Sequence, residues 1–154
     1  MNIYTLKSKG GLAEDDAPFC FGFSLAEVAC SCCGQFRMPT AAEKQWLEGI
    51  RAFLDRPMII KPNHRVFSCE ERNREIQGAH KSVHTLGRDY LAVDFHIARE
   101  DPIDTYLKLE KCPIPLRIGL YKWGIHIDNL LNTGLSIRWW FIDNKYVYIQ
   151  RVFA

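Results

Sequence analysis

Two imidazoles and one carboxylate, in two short stretches of the chain, are the residue types of a catalytic zinc site. His84 stands just before a glycine turn at Gly87, and Asp94 follows within the same stretch, 82–96. A third ligand can come from His126, in the stretch 121–128. Histidine and aspartate commonly bind a zinc ion that keeps one position open for chemistry. We therefore predict a zinc site formed by His84, Asp94 and His126.

Two of these ligands have a second ionisable residue on the same face of their predicted strands. Asp94 is two residues before His96, and His126 is two residues before Asp128, so each pair shares one strand face. One member of each pair would bind metal, and the other would orient a ligand or transfer protons. His96 is interpreted either as the partner of a ligand or as a buried core histidine. Asp128 is interpreted either as a general base or as an orienting carboxylate.

Apolar periodicity, helix caps and turn residues predict the elements that must position these side chains. Helices are expected at 24–28, 41–55 and 102–110. Strands are expected at 58–61, 91–98, 116–122 and 125–131, with a terminal hairpin over 137–153. A turn is predicted at 132–134, and a long irregular loop over 62–81. Together they predict an α+β fold with a mostly antiparallel sheet flanked by two or three helices.

Composition limits the classes of function. The 154 residues are expected to form a single domain over 1–154, with residues 1–20 as an N-terminal arm. A net charge of +2 without a basic run argues against a nucleic-acid partner. No apolar run approaches the roughly 18 residues of a membrane span. The first residues lack the apolar region of a signal peptide, so we expect synthesis in the cytoplasm. The oligomeric state is left open.

The cysteines allow a second, structural metal site. Cys30 and Cys33 have the spacing of one pair of zinc ligands. Such sites usually need a matching second pair, whereas Cys69 and Cys112 stand isolated along the chain. We therefore favour reduced, buried thiols that pack as small apolar groups.

The zinc-ligand stretches also resemble a known family. Ser82-x-His84-x-x-Gly87, followed by Ala92-x-Asp94, resembles the S-x-H-x-x-G-x-A-x-D signature of the zinc D-Ala-D-Ala carboxypeptidases. These are peptidoglycan peptidases with a Hedgehog-like fold, and they include phage endolysins. The resemblance covers roughly residues 23–140 as a family-like core, and three further segments contribute to it. They are the closing G-x-Y…H-x-D strand at 119–128, the strand 58–60 before an R-x-x-x-x-N-type loop, and the F-S…E-x-x-C…C-G pattern at 23–34.

The resemblance implies roles for individual residues. The metal ligands correspond to His84, Asp94 and His126. Arg65 would hold a substrate carboxylate or stabilise the oxyanion, and Ser82 would donate a hydrogen bond at the edge of the site. The implied activity is hydrolysis, by metal-activated water, of a peptide bond in the stem peptides of peptidoglycan. Such an enzyme would act at the bacterial cell wall after delivery by other factors, as phage endolysins do.

Two departures from the family pattern leave alternatives open. The acid follows His84 by ten residues instead of seven, as if residues 89–91 were inserted. Asp89 is therefore a fallback ligand. Position 123, where many family members have an acidic general base, holds Trp123. The base would then be Asp128, which we prefer, His96, or metal hydroxide unaided. These departures favour an alternative function, a catalytically impaired peptidoglycan-binding or phage structural module with the same fold.

Overall fold

A computed structural model describes residues 1–7, 16–62, 66–79, 82–130 and 135–152. The N-terminal part contains four short strands, a one-turn helix and a long helix. They are β1 (Tyr4–Thr5), β2 (Pro18–Cys20), β3 (Phe23–Ser24), α1 (Leu25–Val28), β4 (Gln35–Phe36) and α2 (Ala41–Leu54). The remaining elements are β5 (Ile59–Ile60), α3 (Glu70–Glu75), β6 (Ala92–His96), α4 (Pro102–Leu109), β7 (Arg117–Tyr121), β8 (Gly124–Asp128), β9 (Leu135–Ile142) and β10 (Lys145–Val152).

A mixed sheet in the order β10-β9-β7-β8-β6-β5 forms the centre of the described structure. All its pairs are antiparallel except β7–β9, which is parallel. Two small ribbons, β1–β4 and β2–β3, lie outside it. The predicted α+β class with a mostly antiparallel sheet is confirmed.

The two longer helices follow from capping and amphipathic patterning. Thr40 and Glu43 form a complete capping box at the start of α2, and Asp101 caps α4 with Pro102 at its first position. Both helices bury one apolar stripe, which includes Leu47 and Ile50 of α2 and Leu109 of α4. No helix in the described ranges is long and apolar enough to cross a membrane.

Alternation along the central strands separates the apolar core from the predicted site. Val93 and Phe95 of β6 are fully buried and belong to the hydrophobic core, as are Ile125 and Ile127 of β8. Asp94 lies between the two β6 residues in sequence, so its side chain points to the opposite face. Each such buried side chain contributes about 1.5–3 kcal/mol through removal from water. Core packing therefore fixes the strands that position the ionisable side chains.

One prediction about secondary structure needs correction. The segment 62–81 was expected to be irregular, but residues 70–75 form α3, whose first turn is capped by the sulfur of Cys69. The polar sequence of α3 has no apolar stripe, and the 3.6-residue signal is therefore missing. The described residues contain four helices, of which α2 and α4 are the two longest. The turn predicted at 132–134 lies outside the described residues.

Candidate metal centre

Two of the predicted ligands meet because of strand register. Asp94 of β6 is directly opposite His126 of β8 in an antiparallel pair, so both side chains project from the same face. The distance between His126 Nδ1 and Asp94 Oδ1 is 2.6 Å. On the other side of β8, the residue opposite His126 is Gly119 of β7. A Cβ atom at Gly119 would collide with the indole of Trp139, which also packs beside the imidazole of His126 at a centroid distance of 5.3 Å.

The third ligand is brought in by a loop that pairs with a preceding segment. Ser68 donates its backbone N–H to the carbonyl of His84 at 2.9 Å, and Leu86 donates to the carbonyl of Ser68 at 3.0 Å. This short parallel pairing places the ring of His84 beside the strands. Its Nε2 lies 3.3 Å from Asp94 Oδ1 and 3.3 Å from His126 Nδ1.

The three side chains fit a zinc ion. A tetrahedral zinc with bonds of about 2.0–2.1 Å holds its ligand atoms about 3.3 Å apart. His84 Nε2 lies at this spacing, 3.3 Å, from both other ligand atoms, whereas His126 Nδ1 and Asp94 Oδ1 are only 2.6 Å apart and would have to separate when metal binds. All three residues are buried. The second ring nitrogen of each histidine has a partner: Val66 O at 3.4 Å from His84 Nδ1, and Asp128 Oδ2 at 2.8 Å from His126 Nε2. These partners favour the tautomers that direct a nitrogen lone pair into the cluster.

Asp128 is held behind His126. Arg117 Nε lies 2.9 Å from Asp128 Oδ1 and 3.2 Å from Oδ2, and the backbone N–H of Leu130 donates to Oδ1 at 2.9 Å. The residue is fully buried. Both carboxylate oxygens are therefore engaged by hydrogen-bond donors. Of the two roles considered for Asp128, this geometry favours the orienting carboxylate over the general base.

The environment of His126 raises its pKa. Burial alone would lower the pKa, but the negative charge of Asp94 and the hydrogen bond to Asp128 outweigh it and raise the value from 6.5 to about 9. In metal-free protein near neutral pH the imidazole is therefore protonated at both nitrogens. Metal binding must displace the proton on Nδ1.

The cluster opens into a cleft of about 530 Å³, within the range of ligand-binding pockets in proteins. Asp94 is the one carboxylate among the residues described along its lining. Two cations, Lys61 and Arg117, also line it, and the Lys61 ammonium lies 3.7 Å from the ring centroid of Trp123. Burial lowers the pKa of Lys61, although the nearby Asp94 acts in the opposite direction. The aromatic lining consists of Tyr121, Trp123, Trp139, Tyr146 and Tyr148.

Ser82, Arg65 and His96 are the remaining predicted site residues, and their outcomes differ. Ser82 lines the cleft, and its hydroxyl accepts the backbone N–H of His84 at 3.3 Å. Arg65 lies outside the described residues. His96 is exposed at the end of β6, so its interpretation as a buried core histidine is wrong, because strand alternation sets the direction of a side chain but does not ensure that the strand end is covered. His96 is not among the described residues that line the cleft or form the cluster, and its role as the partner of a ligand stays a prediction.

The extra residues before Asp94 are accommodated at the surface. Gly87 turns the chain with φ of +90°, and Asp89 and Tyr90 are both exposed. The chain returns to the core at Leu91, which is fully buried and whose N–H donates to the side chain of Asn129 at 2.8 Å. Asp94 thus reaches the cluster, and the fallback ligand Asp89 does not belong to it.

Sequence reasoning missed Lys61, Arg117 and Trp139 as parts of the site. Arg117 could have been predicted from the register of the β7–β8 hairpin. A tight connection that pairs Tyr121 with Gly124 also pairs Arg117 with Asp128. Lys61 ends the predicted strand at 58–61, and its N–H donates to the carbonyl of Asp94 at 2.8 Å. No local pattern indicated Trp139, because it reaches the site through the parallel pairing of β7 and β9.

An α+β chain with two imidazoles and a carboxylate at the floor of an open cleft has the arrangement of a mononuclear catalytic metal site. The model of the peptidase M15 family matches residues 22–128, more than half of the chain. The chain therefore belongs to the peptidase M15 family, whose members are zinc peptidases, and the resemblance drawn from the sequence is confirmed. Comparison with curated proteins and with solved structures gave no match.

Proposed function

We propose that the protein is a zinc-dependent peptidase that hydrolyses a peptide bond in peptidoglycan stem peptides, as a D-Ala-D-Ala carboxypeptidase or an endolysin-like endopeptidase. The observation that carries this proposal is the convergence of His84, Asp94 and His126 at the floor of the cleft. These residues would hold the metal. Bound there, zinc supplies a Lewis acid for the scissile carbonyl and acidifies a water molecule.

The chain's own residues prepare the site for this chemistry. Asp128 accepts the Nε2–H of His126, and the carbonyl of Val66 accepts the Nδ1–H of His84. Both contacts orient the imidazoles before metal binds, which lowers the cost of assembling the ligand set. Arg117 neutralises the buried charge of Asp128 and thereby keeps that carboxylate available to His126.

The cleft supports a peptide substrate with a carboxylate group. Lys61 provides a cation beside the metal ligands, and the aromatic side chains of the lining provide apolar surface for an extended peptide. Arg65 remains the cation predicted from the family resemblance. Within the described lining, the absence of a carboxylate other than Asp94 supports water activation without a separate acidic base at position 123.

The same observations weigh against the alternative of a catalytically impaired binding module. The insertion before Asp94 had favoured that alternative, but Asp89 and Tyr90 are exposed, Leu91 packs in the core, and Asp94 still lies beside the two histidines. Trp123 remains the feature in its favour. Catalysis and binding are therefore the two outcomes that the experiment must separate.

The test uses protein purified without chelator and incubated with purified peptidoglycan and with a stem pentapeptide ending in D-Ala-D-Ala. Mass spectrometry of the products should show release of terminal D-Ala, or internal cleavage of the stem or cross-bridge. His84→Ala should lose activity together with the zinc of this site. His96→Ala is the matched control, because it removes an exposed imidazole away from the cluster. Zinc-replete wild-type protein that binds peptidoglycan but releases no product would support the binding module instead. We further propose that the enzyme acts at the bacterial cell wall.

A further inference from the structure

A second group of metal-ligating side chains lies away from the cleft. The sulfur atoms of Cys30, Cys33 and Cys69 all lie within 4.8 Å of one another. Cys69 stands isolated along the chain, but the fold brings the start of α3 against the turn that follows α1 and so places its sulfur beside those of Cys30 and Cys33.

The turn that holds Cys30 and Cys33 has the form of one half of a zinc site. Gly34 donates its N–H to the carbonyl of Cys30 at 2.8 Å and adopts φ of +72°, which closes a tight C-x-x-C-G turn. Leu6 in turn donates its N–H to the carbonyl of Gly34 at 3.1 Å. This turn directs two thiols of the same short segment toward one point, as paired cysteine ligands require.

Backbone N–H groups point at the sulfur atoms. The N–H of Cys69 donates to Cys30 Sγ at 3.3 Å, and the N–H of Arg72 donates to Cys69 Sγ at 3.4 Å. The backbone N–H groups of Cys32 and Cys33 also face the sulfur of Cys30. Several donors around one sulfur stabilise a negative thiolate, which is the form that binds metal.

A fourth thiol is within reach of the group. The thiol of Cys32 lies close enough to that of Cys69 to interact with it, and Cys32 is exposed. Rotation of an exposed side chain meets little steric resistance, so Cys32 can complete a four-sulfur set.

We propose that Cys30, Cys32, Cys33 and Cys69 bind a structural zinc ion. Four thiolates form a closed tetrahedral set without an open position, which is the arrangement of structural sites and not of catalytic ones. Thiolate ligands also favour zinc over calcium, magnesium or manganese.

The position of this site suggests what the ion stabilises. Immediately before Cys69, Phe67 donates its N–H to the carbonyl of Val28, and Ser68 pairs with the loop of His84. The carbonyl of Val66 contacts His84 Nδ1. A metal that links residues 30–33 to Cys69 therefore fixes the segment against which His84 is oriented. The second ion would stabilise the position of the catalytic ligand set without contacting substrate.

The test combines metal analysis with cobalt substitution in reduced, full-length protein. Wild-type protein should contain about two zinc ions per chain, while His84→Ala and Cys33→Ser should each contain about one. Cobalt bound to the cysteines should give intense thiolate-to-metal charge-transfer absorption in the near ultraviolet. That absorption should persist in His84→Ala and disappear in Cys33→Ser. Cys112→Ala is the matched control, because Cys112 is a buried thiol outside the group.

The wild-type spectrum alone can decide the matter if Cys33→Ser does not fold. Cobalt-loaded wild-type protein without thiolate charge transfer, or a zinc content of about one that falls to about zero in His84→Ala, would overturn the proposal. Wild-type protein that shows the thiolate absorption but contains no zinc that depends on His84 would contradict only the proposed peptidase site. Cys32→Ser should weaken zinc retention against a chelator, and unchanged retention would remove Cys32 from the ligand set.

Discussion

The role of Asp128 can be tested by Asp128→Asn, which keeps the shape of the side chain and removes its charge. Asp128 meets donors at both oxygens: the His126 ring and Arg117 at Oδ2, and Leu130 N and Arg117 at Oδ1. An amide at this place presents an N–H to at least one of those donors. The variant therefore weakens the hydrogen bond that orients His126 and leaves the Arg117 charge without its carboxylate.

The expected loss of zinc affinity follows from the contact of Asp128 with a histidine that would bind the metal. Loss of a carboxylate that orients a metal-bound histidine lowers metal affinity by roughly 10- to 100-fold, or about 1.4–2.7 kcal/mol. We expect this loss in a competition titration of zinc against a chromophoric chelator. At saturating zinc the variant should recover a substantial part of kcat, and its pH profile should keep both limbs. Asp104→Asn, an exposed carboxylate on α4, is the matched control and should leave zinc affinity unchanged.

A different result would refute this reasoning. If Asp128 were the general base, zinc affinity would remain that of the wild type, and kcat at saturating zinc would fall by about 10²–10⁴ with loss of one limb of the pH profile. Circular dichroism and thermal unfolding of the zinc-loaded variant show whether it is folded, so that a loss of affinity is assigned to the site.

Three further predictions concern stability and the wall of the cleft. In protein stripped of metal, the raised pKa of His126 stabilises the fold fully below its unfolded value of 6.5, and this contribution is lost as pH rises through about 9. Urea unfolding across that window should show a falling free energy of unfolding, and a flat profile would contradict the prediction. Gly119→Ala should displace the Trp139 indole and cost about 1–3 kcal/mol of stability with an increase in KM; unchanged unfolding and KM would refute it. Arg37→Met leaves buried Glu43 without its 2.6 Å ion-pair partner and should cost about 3–5 kcal/mol in urea unfolding, whereas a loss below about 1 kcal/mol would show that the pair is dispensable.

Local sequence patterns were sufficient for the longer elements and for the choice of the candidate metal ligands. The capping boxes at Ser24 and Thr40 are features of this local kind, because each depends on residues only three positions apart. Strand alternation assigned Asp94 and His126 to defined faces of their strands. Their relative register followed from the way β6 and β8 bury their apolar residues on the opposite face.

Other features depend on contacts between residues that are distant in sequence. The short polar helix α3 lacks apolar periodicity and is capped by a sulfur, which no common cap rule includes. The exposure of His96 follows from what covers the end of β6 and cannot be read from alternation. The accommodation of the residues before Asp94 required the outward turn at Gly87 and the anchoring of Leu91 in the core.

By itself, the sequence determined which groups could bind a catalytic metal, because ligand chemistry is a property of residue type and the order of the motifs is visible along the chain. Only the tertiary structure decided that Asp128 lies behind His126 with its oxygens already engaged, since its partners come from two strands and a following loop. The tertiary structure also decided that Cys69 joins Cys30 and Cys33. Distance in space between residues far apart in sequence is set by the packing of the whole core, and no local pattern records it.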